Sequence, residues 1–362
     1  MSRSLRVAVV GATGVAGQQA LVSLDAHPWF QVVALAASER SAGKRYIDAI
    51  TTPGTGQVKW ACQEPIPAWS KEMVVQEASK LSTDGIDLIF NATDSDTAKT
   101  LEPKYAETTP VVSTTSAFRY ESDVPILIPG VNLDHAKLIP VQKKRRGWKG
   151  FITPIPNCTT TGLAVTLAPL HRQFGISGVV MTSLQAISGA GRSPGVLGLD
   201  ILDNVIPFIP KEEDKVERET QKILGTFSGE TIAPADFPVS ATCIRVNVRD
   251  GHTEAAYVGL RKKASVAEVA SAMERFGRDF VALSLPSSPK RLITVTNDPY
   301  HPQPRADRDL DGGMTTVVGR IREDRLLPNG IKYVLLSHNT KMGAAKGATL
   351  VAEFLLQKGY IG

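Results

Sequence analysis

The chain has 362 residues, of which 42% are apolar and 21% charged. That length exceeds one ordinary hydrophobic core and suits two domains, and no apolar run approaches the roughly 20 residues needed to cross a bilayer. The net charge of +5 fits anionic small molecules better than a nucleic acid, and Cys62, Cys158 and Cys243 are too widely spaced for a disulfide framework or a metal site. Such cysteine usage points to a reducing compartment, with the cytoplasm as the expectation. Met1 to Gly17 has two arginines and an apolar stretch like a signal peptide, but its glycines and its direct passage into a βα pattern speak against one.

In chain order, Leu5–Val10 is a short, β-branched apolar run, as expected for a strand buried on both faces. The turn Gly11-Ala12-Thr13-Gly14-Val15-Ala16-Gly17 follows at once and leads into a helical pattern through Ala20, Leu21 and Leu24. Glycines there let the backbone turn tightly and approach a pyrophosphate resting on the helix N-terminus, so Gly11, Thr13, Gly14, Val15 and Gly17 are candidate cofactor contacts. A plain βα turn is the alternative. A second strand, Gln31 to Ala37, ends at Ser38-Glu39-Arg40-Ser41. Glu39 would accept hydrogen bonds from a free ribose hydroxyl, whereas Ser38, Arg40 and Ser41 would hold a 2′-phosphate; the trio favours NADP. Strands at Leu88–Ala92 and Val111–Thr114, with a helix from Ala98 to Glu107 between them, complete a βαβ alternation. About the first 140 residues therefore read as a Rossmann-like, doubly wound parallel sheet. The basic run Lys143-Lys144-Arg145-Arg146, with Lys149, reads as a solvated surface loop.

The pattern changes at about Cys158. Val179–Ala186, Ala241–Asn247, Glu254–Leu260 and Val317–Glu323 alternate as strands of a sheet with one open face, Val266–Val281 reads as one amphipathic helix, and Gly343–Gln357 as a closing helix. Cys158 stands in Pro154-Ile155-Pro156-Asn157-Cys158-Thr159-Thr160-Thr161-Gly162, where a helix mouth would favour thiolate over thiol. The small residues of Gln185-Ala186-Ile187-Ser188-Gly189-Ala190-Gly191-Arg192 would let a planar ring approach, or form a loop that binds nothing. Arg245, Asn247 and Arg249 share one face of an extended strand, and Gly251 then turns the chain to place His252, a proton-exchange group, near the sheet edge. Stacked arginines on one face call for an anionic ligand. The spacing of Glu212 and Lys215 alone reads as a surface ion pair.

Taken together, these motifs resemble the aspartate-β-semialdehyde dehydrogenases, in the branch found in archaea and fungi, over nearly the whole chain. The resemblance rests on the Gly-Ala-Thr-Gly loop, Pro156-Asn157-Cys158-Thr159, Ser188-Gly189-Ala190-Gly191, Arg245 seven residues before His252, and Asn339 to Ala345. It implies an α/β nucleotide-binding domain over residues 1–157, with 339–362 returning to it, and an α+β catalytic and dimerisation domain over 158–338, as in glyceraldehyde-3-phosphate dehydrogenase-like proteins. It implies an NADP-dependent enzyme acting on aspartate semialdehyde and phosphate, assembled as a homodimer or a dimer of dimers, with no metal, nucleic acid or membrane partner. By the same resemblance Cys158 is the nucleophile, His252 the general acid/base and Gln185 the residue that orients substrate or thiol intermediate. Arg245 would clamp the α-carboxylate, Glu212 would meet the α-amino group, and Lys215, Arg119 and Asn157 would bind phosphate. Ser188, Gly189 and Gly191 would face the nicotinamide, and Asn339 and Gly343 would reach the cofactor from the returning segment. One departure stands out: the family usually shows Ser-Asn before a small run and the arginine, whereas this chain has Ser113-Thr114. N-acetyl-glutamyl-phosphate reductases and malonyl-CoA reductases share much of this pattern, the former usually with Pro-Gly-Cys-Tyr in place of Asn157-Cys158-Thr159. A non-catalytic NADP-binding protein is the alternative from another class.

Overall fold

The computed structural model describes residues 4–190 and 200–362. Leu5–Val10 forms β1, and its last four residues are fully buried. It lies inside a six-stranded sheet of order β3-β2-β1-β4-β5-β6, with β2 Phe30–Ala37, β3 Val75–Glu77, β4 Leu88–Asn91, β5 Val111–Ser113 and β6 Ile152–Pro154. Every pairing is parallel. The connecting helices are α1 Val15–Ser23, α2 Tyr46–Ala49, α3 Ser95–Ala106 and α4 Leu138–Arg146. The basic run expected as a loop is the last turn of α4, where cations meet the negative helix end and Arg146 also pairs with Asp123.

A mixed seven-stranded sheet follows, of order β13-β14-β15-β12-β7-β11-β8. Its strands are β7 Ile176–Gln185, β8 Val205–Ile206, β11 Val239–Val246, β12 His252–Leu260, β13 Ile293–Val295, β14 Thr316–Glu323 and β15 Ile331–Ser337; β9 Thr226–Phe227 and β10 Ile232–Ala233 form a separate ribbon. Helices α5 Cys158–Phe174, α6 Glu212–Ile223 and α7 Val266–Arg275 cover one face, while Val180, Leu184 and Tyr257 stand exposed on the other. Strand β15, with Ile331, Tyr333 and Leu335 buried in alternation, was not among the expected elements.

Three local expectations change. The helix expected over 266–281 is broken at Gly277, whose φ is +74°, so α8 Arg278–Val281 starts anew; a Cβ there would stand 2.1 Å from Leu292 Cδ1. Strand β11 ends at Val246, so the arginines do not share a face: Arg245 is buried, and Arg249 is exposed beside Asp250 at 3.3 Å. His252 opens β12, a central strand with neighbours on both sides, and is fully buried rather than placed at the sheet edge. After a short α9 (Pro304–Asp307), the last helix, α10, runs from Ala345 to Gln357. It returns to the first sheet and packs on α1, with Ser23 Oγ 2.8 Å from Thr349 Oγ1 and His27 Nε2 2.8 Å from Glu353.

Candidate active site

The Gly-rich turn is shaped by contacts that exclude side chains. Gly11 has φ +81°, and a Cβ on it would lie 2.5 Å from Ala92 O; one on Gly17 would lie 2.2 Å from Gly11 O. Gly11 lets the turn pass close to the backbone at Ala92 and Thr93, Gly17 lets α1 pack onto the turn, and neither lines the cleft above it. Helix α1 begins after Gly14 with no side-chain cap and no acidic residue in its first turn. Its first N–H groups and positive end face a cleft of about 810 Å³, with Thr13, Gly14 and Val15 in one wall and Cys158, Ser188 and Gly189 in another. This uncapped helix end beneath a large cleft fits a dinucleotide. Ser38, Glu39 and Arg40 are exposed and Ser41 half-buried just past the end of β2, outside the cleft walls; Arg40 makes no ion pair among the described residues. Asn339 and Gly343 do line the cleft, whereas Gly191 lies outside the described residues.

Across the cleft, Asn157 caps α5 by accepting from Thr159 N–H at 2.9 Å and Thr160 N–H at 3.2 Å. Cys158 is therefore the first residue of that helix, as the sequence suggested. Its Sγ lies 3.2 Å from His252 Nε2, and His252 Nδ1 accepts the Ala186 N–H at 3.1 Å. Burial pushes the Cys158 thiol up to about 12, helped by the charge of Glu212 and opposed by Arg245, the Thr159 N–H and Arg119. Burial, with Arg245 and His338 adding, drives His252 down to about 3. Both shifts favour neutral thiol beside neutral imidazole in the ligand-free site. This runs against the expectation that the helix mouth favours thiolate: the Thr159 N–H does favour the anion, but desolvation opposes it more strongly.

Glu212 is buried, which overturns the surface-pair reading; it accepts from Asn157 Nδ2 at 2.8 Å and holds Lys215 at 3.4 Å. Arg119 and Lys215 reach the cleft wall. The guanidinium of Arg119 is engaged three ways, with Glu219 at 3.0 Å, Ile155 O at 2.9 Å and Thr114 O at 3.1 Å. Because Thr114 serves through its carbonyl, the departure from the family's Asn leaves this contact intact. Glu219, fully buried, also accepts from Asn157 N–H at 2.7 Å and Tyr120 OH at 3.3 Å. Sequence reasoning missed it as a site-building residue, although its position one and two turns beyond Lys215 and Glu212 on the same face of α6 was a usable signal. Arg245 lies behind the cleft wall, buried, with Nη1 donating to Ala186 O at 2.6 Å and Nε without a partner among the described residues. Gln185, its neighbour in register, is buried and donates to Ser183 Oγ at 3.1 Å rather than lining the cleft. Asn339 ties the parts together, donating to Ser188 Oγ at 2.9 Å and accepting from Gly251 N–H at 2.8 Å. The Thr93–Ser95 wall was also missed; Asp94, capping α3 after β4, was its sequence signal. Among the described residues no cluster could hold a metal ion, and no helix is long and apolar enough to cross a membrane.

Two family models match the chain: the semialdehyde dehydrogenase NAD binding domain over residues 6–139 and the semialdehyde dehydrogenase dimerisation domain over residues 167–342. Fold and site thus define a semialdehyde dehydrogenase. An aspartate-semialdehyde dehydrogenase of Methanothermobacter thermautotrophicus is 44% identical, covering 97% of this chain and 99% of its own. The crystal structure of aspartate semialdehyde dehydrogenase with NADP from Candida albicans superposes with a TM-score of 0.87 at 40% identity, covering 99% of both chains. The chain belongs to the aspartate-semialdehyde dehydrogenase family. A malonyl CoA reductase (NADP) of Metallosphaera sedula is 36% identical, covering all of this chain and 99% of its own.

Proposed function

We propose that this protein is an NADP-dependent, phosphorylating aldehyde dehydrogenase that interconverts L-aspartate 4-semialdehyde plus phosphate with L-4-aspartyl phosphate, in the biosynthesis of lysine, methionine and threonine. The observation that carries this reading is the Cys158–His252 contact of 3.2 Å at the mouth of α5, on the wall of the nucleotide cleft. NADP, when bound, accepts the hydride. Cys158 Sγ bonds to the aldehyde carbon, and His252 moves the proton between sulfur and the developing oxygen. Once the carbon is oxidised to a thioester, phosphate displaces the sulfur and releases the acyl phosphate. Arg245 binds the substrate α-carboxylate through the face that carries its free Nε, and Glu212 meets the α-ammonium. Lys215 and Asn157 receive phosphate, with Arg119, held by Glu219, as a fixed positive charge at the rim. Gln185 orients the intermediate from beneath. Ser38, Arg40 and Ser41 hold the 2′-phosphate of NADP, and Ser188, Gly189 and Gly191 face the nicotinamide.

The proposed domains are residues 1–157 with 339–362, and 158–338. The open face of the second sheet, with Val180, Leu184 and Tyr257 exposed, is the proposed homodimer contact, in keeping with the dimerisation-domain match. Cytoplasmic location follows from the proposed pathway.

The test is NADPH formation from aspartate semialdehyde, with and without phosphate, with Cys158→Ala as control. Phosphate-dependent reduction lost in the variant is the expected result. The likeness to a malonyl CoA reductase supports one second reading; NADPH oxidation with malonyl-CoA, and none with aspartyl phosphate, would replace the first by the second.

A further inference from the structure

The two side-chain cations that line the proposed phosphate site stand on different sheets. Arg119 follows β5 of the first sheet, whereas Lys215 stands on α6, which packs along β11 of the second. A phosphate can bond both only if their separation is held, and α6 supplies the constraint. Glu212, Lys215, Glu219 and Lys222 recur at intervals of three or four residues, so they form one stripe on that helix, about 15 Å from first to last. Lys215, in the first half of the stripe, lines the cleft. The second half meets the segment that carries Arg119. Glu219 accepts from Arg119 Nη1 at 3.0 Å, and Lys222 Nζ donates to Arg119 O at 2.8 Å and to Glu121 O at 2.7 Å. On the flank of the stripe, the Arg218 guanidinium lies 4.0 Å from the centre of the Tyr120 ring. One helix thus holds Arg119 by side chain and by main chain while carrying Lys215 itself.

The main-chain hold bears on where the guanidinium points. Besides Glu219, that group bonds Ile155 O and Thr114 O, both on the first-sheet side. One N–H on Nη1 and one on Nη2 remain without a partner among the described residues, and Arg119 lines the cleft. Their reach toward Lys215 depends on where the backbone of Arg119 stands. That backbone lies in a turn whose own bonds are long, Arg119 N–H to Ser116 O at 3.4 Å and Glu121 N–H to Phe118 O at 3.2 Å. The two bonds from Lys222 are shorter. Burial pushes Lys222 down to about 8, against the pull of Asp123, Glu121 and Glu219, so it keeps its charge at neutral pH. Both of its bonds are therefore charge-assisted.

We infer that Lys222 is a positioning residue for phosphate: by holding the carbonyls of Arg119 and Glu121 it sets the Arg119 guanidinium at a fixed reach from Lys215, across the junction of the two sheets. The inference rests on the proposed reading of Arg119 and Lys215 as phosphate ligands. Lys222 itself does not line the cleft. Its loss would leave thioester formation intact and weaken the step in which phosphate displaces the sulfur.

The test compares full-length Lys222→Met, which keeps the apolar stem and loses the donor, with Lys222→Arg and Arg119→Lys. Two quantities are read with NADP and aspartate semialdehyde. The burst of NADPH without phosphate reports thioester formation, and steady-state turnover against phosphate concentration reports the second step. In Lys222→Met the burst should be unchanged and the KM for phosphate should rise about tenfold, with a smaller change in kcat at saturating phosphate. Lys222→Arg, which has donors for both carbonyls, should bring that KM back to within about twofold of wild type. If the methionine variant does not fold, Lys222→Gln takes its place with the same expectations. A burst slowed as much as the phosphate step would overturn the inference, because the role would then be general support of the fold. So would a wild-type KM for phosphate in Lys222→Met, or an arginine variant no better than the methionine one. A phosphate KM unchanged in Arg119→Lys would instead remove the reading of Arg119 as a phosphate ligand. Absence of any burst in the wild-type protein would remove the substrate reading, so the failures are distinguishable.

Discussion

Gly343→Ala probes how the returning C-terminal segment seats the nucleophile. A Cβ at this position would lie 3.0 Å from Cys158 Cβ, 3.1 Å from Cys158 Cα and 2.9 Å from Asn339 O. Carbon atoms pack best at about 3.5–4.0 Å, so the added methyl must displace Cys158 or the 339–343 turn by roughly 0.5–1 Å. Two of the three obstacles are backbone atoms, which cannot rotate aside. Overpacking of this kind costs about 1–3 kcal/mol, enough to lower the melting temperature by several degrees. The larger effect belongs to catalysis. The Cys158–His252 contact is 3.2 Å, and a displacement of about 1 Å at a reacting group costs on the order of 10²-fold. We expect kcat/KM for aspartate semialdehyde to fall between about ten- and a hundredfold, mostly in kcat. NADP affinity, measured by fluorescence titration, should fall less. Wild-type kcat/KM together with an unchanged melting temperature would refute the reasoning, because the turn would then be free to move without carrying Cys158.

Three further outcomes follow from single residues. With the thiol pushed up to about 12 and the imidazole down to about 3, alkylation of Cys158 in the ligand-free enzyme should rise continuously from pH 6 to pH 9; a plateau at its acidic end would reveal a preformed thiolate–imidazolium pair. Glu254 is fully buried, neither carboxylate oxygen has a partner among the described residues, and burial pushes its carboxyl well above the usual range. The folded state therefore keeps a proton that the unfolded chain releases near pH 4.3, so stability from this group is full below that pH and declines as pH rises. Glu254→Gln should raise the denaturation midpoint more at pH 8 than at pH 4, and an equal gain at both would show the carboxylate to be charged in the fold. Arg40→Ala should weaken NADP binding selectively over NAD; equal loss for both would place the 2′-phosphate elsewhere.

Much of the architecture was legible because its signals are local. Leu5–Val10, the Gly11–Gly17 turn and the start of α5 at Cys158 each announce themselves within a dozen residues, through β-branched runs, glycines at tight approaches and an Asn cap. The break at Gly277 was hidden because the apolar period continues through it, while the φ of +74° and the close approach of Leu292 exist only in the folded chain. The buried status of Glu212 and Glu219 was equally hidden: their spacing is that of any solvated helix face, and only the arrival of Asn157 and Arg119 from a segment 55–100 residues away supplies the partners that let them be buried.

By itself, then, the sequence determined the order of the candidate groups: a glycine-rich turn, a cysteine at a helix mouth, and an arginine and a histidine on neighbouring stretches. It could not determine the protonation state in which they wait. That was decided by tertiary structure, which buries Cys158 against His252 and directs the Ala186 N–H at the ring. The reason is physical: propensity and turn chemistry act between neighbours along the chain, whereas desolvation and hydrogen-bond partnership depend on which distant segments close over a group.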